Sequence, residues 1–121
     1  MIHRLSLCAI PAKEEHMRIS KQQYVYRSLK KISHKGWEVF VISRILHGLD
    51  DDEIEFVTQQ LVRLPNGKRA LTDIYFPQFN LHLEIDERHH DNEHQVKDDE
   101  RREQDIVDLT QHEICHIKIT D

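Results

Sequence analysis

The sequence predicts an α/β domain: helices, then a three-stranded antiparallel meander, then a helix and a fourth, parallel strand. Three observations predict it. Apolar residues recur at helical spacing between residues 20 and 49; three β-like runs separated by turn residues fill 54–86; and a polar helical stretch, 91–111, leads to a last apolar run at 114–120. A strand reached through a helical crossover is expected to pair in parallel with its neighbour. The 121 residues suit one domain, with an arm and basic helix over 1–32 and the core over 33–121.

In residues 1–18, Leu5, Leu7 and Ile10 suggest a short strand or an ordered arm. From Ser20 to Ile32, Tyr24, Val25, Leu29 and Ile32 form one face of a helix with Lys21, Arg27, Lys30 and Lys31 between them. Ser33 to Gly36 breaks it, and a second helix runs from Trp37 to about Leu49. Its row of Trp37, Phe40, Val41, Arg44, Ile45 and Gly48, with apolar residues at most other positions, predicts a largely buried helix. Tyr24, Tyr26 and Trp37 are expected in the core. Residues 54–62 read as a strand, Pro65-Asn66-Gly67 as a turn, and KRALTDIYFP (68–77) as a second strand. FNLHLEID (79–86) gives a third, with Leu81, Leu83 and Ile85 on one face and His82, Glu84 and Asp86 on the other. The helix over 91–111 has few apolar points, among them Val96, Ile106, Val107 and Leu109, and so presents a wet face.

The formal net charge is −5, yet it is unevenly placed. Residues 1–44 carry nine Lys/Arg against three Asp/Glu, and residues 45–121 carry eight against nineteen. Such asymmetry points to a charged partner. Lys21, Arg27, Lys30, Lys31 and Lys35 form a plausible phosphate-contacting surface. Cys8 and Cys115 are isolated, which argues against a disulfide framework or zinc ribbon and for a reducing compartment. No apolar run is long enough to span a membrane, and a cytoplasmic protein is expected.

The segment TDIYFPQFNLHLEIDERHH (72–90) carries the chemistry. Asp73 lies on the second strand, and Glu84 and Asp86 share a face of the third. A hairpin around Pro77–Asn80 would set Asp73 opposite the neighbourhood of Glu84. Carboxylates gathered in a half-buried setting repel unless one protonates or a cation neutralises them. A hard divalent ion with oxygen ligands answers that need, and Mg²⁺ is the expected species. Such an ion activates water and offsets charge on a phosphate, with His90 placed to move a proton.

Asp73, a spacer of ten residues, Glu84-Ile85-Asp86 and a following histidine resemble the PD-(D/E)XK nuclease superfamily, in its very-short-patch-repair-like branch. The element order is similar to that family's αβββαβ restriction-endonuclease-like core. Residues 33–110, with SHKGWEVFVISRILHGLDDDEIEFVTQQLV and RALTDIYFPQFNLHLEIDERHH, are similar to the N-terminal cleavage domain of AbaSI-type restriction endonucleases, which act on modified-cytosine DNA. The resemblance implies a Mg²⁺-dependent endodeoxyribonuclease (Mn²⁺ able to substitute) acting on double-stranded DNA. It makes Asp73 the central metal ligand, with Glu84, Asp86 or both beside it. Asp86 stands where the lysine of E-x-K would sit. His89 or His90 would be the base, and Glu38 would match a helix glutamate near the metal. Target choice would fall to a homodimer mate or a separate recognition domain. The alternative is a nuclease-like DNA- or protein-binding module without activity.

Overall fold

The computed structural model describes residues 19–65, 67–86 and 93–119. The expected arm with Leu5, Leu7 and Ile10, and the histidines His89 and His90, lie outside the described residues. The elements run α1 (Lys21–Lys31), α2 (Gly36–Leu49), β1 (Val57–Arg63), β2 (Arg69–Phe76), a 3-10 turn (Pro77–Phe79), β3 (Leu81–Asp86), α3 (Glu93–Thr110) and β4 (Glu113–Lys118). The sheet order is β1-β2-β3-β4, antiparallel through β3 and parallel between β3 and β4, as the sequence predicts.

Local chemistry sets the ends. Ser20 caps α1 in a reciprocal capping box with Gln23, which satisfies two otherwise orphan donors. Asp50 closes α2 in the left-handed region (φ 43°). Gly67 takes φ 82° in the β1–β2 turn, a conformation that costs glycine little. The carbonyls of Ile54, Phe56 and Thr58 along the outer edge accept from Lys21 Nζ, Tyr24 Oη (2.6 Å) and Lys31 Nζ (2.7 Å) respectively. The first helix thereby blunts a strand edge that would otherwise offer unpaired groups.

Helices cover both faces of the sheet. On one, Ile32 and Ile42 from α1–α2 meet Phe56, Ile74, Phe76 and Ile85. On the other, Ile106 of α3 meets Val62, Leu64 and Ala70. Each such fully buried side chain is worth about 1.5–3 kcal/mol of transfer free energy.

The row expected to bury α2 is corrected. Trp37 is 47% exposed, Phe40 51%, and Arg44 is exposed too; of that row Val41 and Ile45 do pack against the core, while Glu38 and Ile42 are the residues buried outright. Phe40 stacks edge-to-face on Trp37 (5.6 Å between centroids) and lies under Arg44. With apolar residues around most of the helix, periodicity could not choose between rows; the fit of Ile42 under the sheet did. Tyr26, 64% exposed beneath Lys30, likewise stands outside the core expected for it.

A face switch in the sheet decides where the acidic residues go. Alternate residues of a regular strand share a face. Ala70, Thr72, Ile74 and Phe76 are all buried, yet Ile74 and Phe76 belong to the α1–α2 side and Ala70 to the α3 side. The Thr72 hydroxyl bonds His82, whose ring stacks on Tyr75, and Tyr75 is an odd-numbered neighbour. The alternation therefore inverts at Asp73. Across the ladder, the position opposite Asp73 is Gln59, which takes φ 55° and drops out between the pairs Thr58↔Ile74 and Gln60↔Thr72. A left-handed non-glycine residue inside a strand is uncommon and turns its neighbours over.

Next to this kink, the Thr58 hydroxyl is buried with no hydrogen-bond partner among the described residues. Valine has the same shape without the polar oxygen. Thr58→Val should therefore raise stability by about 1 kcal/mol, read as an upward shift in the thermal midpoint.

Candidate active site

The Asp73 kink interrupts the β2–β3 ladder, whose pairing ends at Ile74↔Leu83. Side chains fill the gap. Asp73 Oδ2 accepts from the Ile85 amide at 2.7 Å, and Glu84 Oε2 accepts from the Asp73 amide at 3.0 Å. Each carboxylate takes the place of a missing strand carbonyl, which fixes both where the strands part. The second oxygen of Glu84 accepts from Arg102 Nη1 of α3 at 2.8 Å, and Arg102 Nη2 donates to the Leu71 carbonyl at 2.7 Å.

Glu38 arrives from the other face. It sits in the first turn of α2, where the helix dipole favours a carboxylate, and is only 5% exposed. Its carboxyl group lies close enough to that of Asp73 for the two to interact electrostatically. Gln59 Nε2 donates to Glu38 Oε2 at 2.6 Å, Lys35 Nζ lies 3.8 Å from Glu38 Oε1, and Lys35 also donates to Gln59 Oε1 at 3.5 Å. Burial first, and the Asp73 charge second, push the Glu38 pKa up to about 7 against the pull of Lys35 and Gln59. Burial and Asp73 also raise the pKa of Glu84 in spite of Arg102. Burial and like charge thus favour the protonated form of Glu38 and Glu84, an opposition that a bound cation would relieve.

Asp86 goes elsewhere. Its Oδ2 bonds His116 Nδ1 at 3.1 Å, and His116 Nε2 meets Glu103 Oε1 at 2.5 Å. Burial disfavours the His116 imidazolium, but the bond to Glu103 and the charges of Asp86 and Glu103 outweigh it and raise the pKa. This triad lines an open groove between α3 and the β3–β4 edge, with Glu84, Arg102 and Lys118.

The structure thus gathers Asp73, Glu84 and Glu38 and places Asp86 in a neighbouring network. His89 and His90 are outside the described residues. Among the described residues no three His, Cys, Asp or Glu side chains already stand in metal-ligating geometry. The oxygen-only donor set of Glu38, Asp73 and Glu84 is nonetheless the kind a hard divalent cation takes. Of the basic residues expected at a phosphate surface, Lys21, Lys31 and Lys35 have partners inside the fold, Lys30 covers Tyr26, and Arg27 is exposed. Sequence reading missed Gln59 and Arg102. Gln59 carried one weak signal, a Gln-Gln pair inside an apolar strand. Arg102 carried none, being one charge among many on α3.

Residues 22–121 match the family model of the PvuRts1 I-like restriction endonuclease N-terminal domain. The chain belongs to this family. No match is found among curated protein sequences. Among solved structures it is similar to the 5-hydroxymethylcytosine-specific restriction enzyme AbaSI, with 38% identity and a TM-score of 0.55 over 81% of this chain and 37% of that one. The chain therefore spans little more than a third of AbaSI's length. The likeness supports a restriction-endonuclease-like fold, so this PvuRts1 I-like domain sets its mixed sheet between α1–α2 and α3 as a nuclease scaffold. Among its described residues no helix is long and apolar enough to cross a membrane.

Proposed function

We propose that this PvuRts1 I-like domain is the cleavage module of a Mg²⁺-dependent endonuclease acting on double-stranded DNA that carries modified cytosine. The observation that carries the reading is the pair of bonds that fixes Asp73 and Glu84 side by side where β2 and β3 part, with the buried Glu38 carboxyl beside Asp73. Asp73, Glu38 and Glu84 would hold Mg²⁺, or Mn²⁺ in its place, within the PD-(D/E)XK plan. When bound, the ion supplies charge neutralisation and an acidified water at the phosphate. The chain's own residues do the rest. The Ile85 amide holds Asp73 in place, and Arg102 holds Glu84. Lys35 brings an ammonium to the acid pair from the turn before α2, while Asp86 occupies the E-x-K lysine position. His89 or His90, directly after β3 in sequence, would transfer the proton. A homodimer or a separate recognition domain would choose the target, since one site of this kind cuts one strand.

Digestion of unmodified, methylated, hydroxymethylated, glucosylated and mismatched duplexes side by side, with Mg²⁺ and with Mn²⁺, tests the reading. Cutting of a modified duplex is expected. No cutting of any duplex, together with no calorimetric Mg²⁺ or Mn²⁺ binding at about millimolar ion, would mean a nuclease-like binding module instead.

A further inference from the structure

The buried polar chain behind the kink has no part in the chemistry above. Thr72 and His82 are both buried, His82 only 1% exposed, and Thr72 Oγ1 lies 2.7 Å from His82 Nδ1. His82 Nε2 lies 3.1 Å from His112 Nδ1, His112 Nε2 lies 3.4 Å from Tyr75 Oη, and Tyr75 Oη donates to Asn80 Oδ1 at 3.4 Å. The three rings stack on one another at centroid separations of 4.3 to 5.3 Å.

The Asn80 carbonyl oxygen can only accept, so it fixes the direction of the chain. Tyr75 gives it the phenolic proton, His112 Nε2–H donates to Tyr75, and His82 Nε2–H donates to His112 Nδ1. His82 Nδ1 is then left as an acceptor for the Thr72 hydroxyl. Along this chain the bond each ring makes at its other nitrogen sets its tautomer.

We propose that Thr72 and His82 are a positioning pair for Asp73, holding β2 on the α3 face up to residue 72 so that the chain must turn over at the next residue. Ile74 is held just as firmly on the opposite face by the α1–α2 core. Asp73 is the residue left between the two anchors. Its side chain points into the gap between β2 and β3, where it accepts from the Ile85 amide. Without the Thr72 bond, β2 is free to resume regular alternation, and Asp73 leaves the Ile85 amide.

The proposal deepens the nuclease reading for its kinetic consequence and is tested independently of it. The test is backbone hydrogen exchange at Ile85 in Thr72→Val, which is isosteric, in Thr72→Ser, which keeps the hydroxyl, and in His82→Phe, which keeps a stacking ring. Leu83, the last β3 residue paired with β2, is the internal control. In Thr72→Val and His82→Phe the Ile85 amide should exchange about tenfold faster or more while Leu83 is unchanged, with Thr72→Ser like the parent. Cleavage should lose about tenfold or more in kcat at constant KM in the same two variants and recover in Thr72→Ser. Parental exchange at Ile85 in either variant overturns the proposal. So does equal acceleration at Ile85 and Leu83, including outright unfolding, in both variants, because the pair would then be only part of the core. If the parent cuts no duplex, the function above fails while the Ile85 result still decides this one.

Discussion

Asp73→Asn should give a folded protein that cleaves DNA at least about a hundredfold more slowly than the parent, on the order of 3 kcal/mol of lost transition-state stabilisation. Asparagine keeps an oxygen for the Ile85 amide, so the bond at 2.7 Å that closes the β2–β3 gap survives. Its neutral amide also removes the Asp73 charge that acts on Glu38. What it removes is the charge that a divalent cation needs from its central ligand. A plasmid-nicking time course with Mg²⁺, paired with a thermal melt and a calorimetric Mn²⁺ titration, separates these effects. The melt should be unchanged or slightly higher, and the metal heat should vanish. An Asn variant that nicks within about threefold of the parent would leave Asp73 with no catalytic role.

The alternation of apolar residues and the turn at Pro77–Asn80 made the meander legible, and with it the approach of residues 73 and 84. The observed pairing ends at Ile74↔Leu83, one step short of that position. The kink was not legible. It depends on Gln59 in the left-handed region, and nothing about a glutamine in a strand-like run announces that conformation. A regular strand would have kept Thr72, Ile74 and Phe76 on one face and left Asp73 on the other with Tyr75. The diversion of Asp86 to His116 and Glu103 depends on the pairing with β4 and on the angle of α3, both settled by packing at long sequence separation. Glu38 was visible only through resemblance. Taken alone, a glutamate in a first helical turn reads as a favourable dipole partner. Its burial against Asp73 is a tertiary fact that follows from which row of α2 turns inward, the same choice that left Trp37 and Phe40 outside.

Glu38→Gln should stabilise the metal-free protein at pH 8 by about 2–3 kcal/mol and change the shape of its stability profile. The Glu38 carboxyl has a folded pKa of about 7 against an ordinary value of 4.5, so the folded protein binds more protons between those values. Its contribution is therefore complete below pH 4.5 and is lost as the pH rises to about 7. His82 runs the other way. Its folded pKa of about 4 lies below 6.5, so the unfolded chain binds more protons across that window and stability grows with pH. Each shift corresponds to about 3 kcal/mol. In the parent the two oppose each other and flatten the profile through mildly acid pH. The raised Glu84 and His116 groups likewise lose stability as the pH rises, beginning from 4.5 and 6.5 respectively. Glutamine cannot ionise, so the variant keeps the His82 rise without the Glu38 fall. Urea unfolding at about pH 4.5, 6 and 8 should give parent and variant alike at the acid end and diverging upward from there. Parallel curves at all three would mean that Glu38 is not the group that loses its proton in this site. Mg²⁺ adds a second test of the same charge. If the ion sits among these carboxylates, millimolar Mg²⁺ should raise the parent's stability at pH 8 and raise that of Glu38→Gln much less, because binding to the folded state stabilises it by mass action.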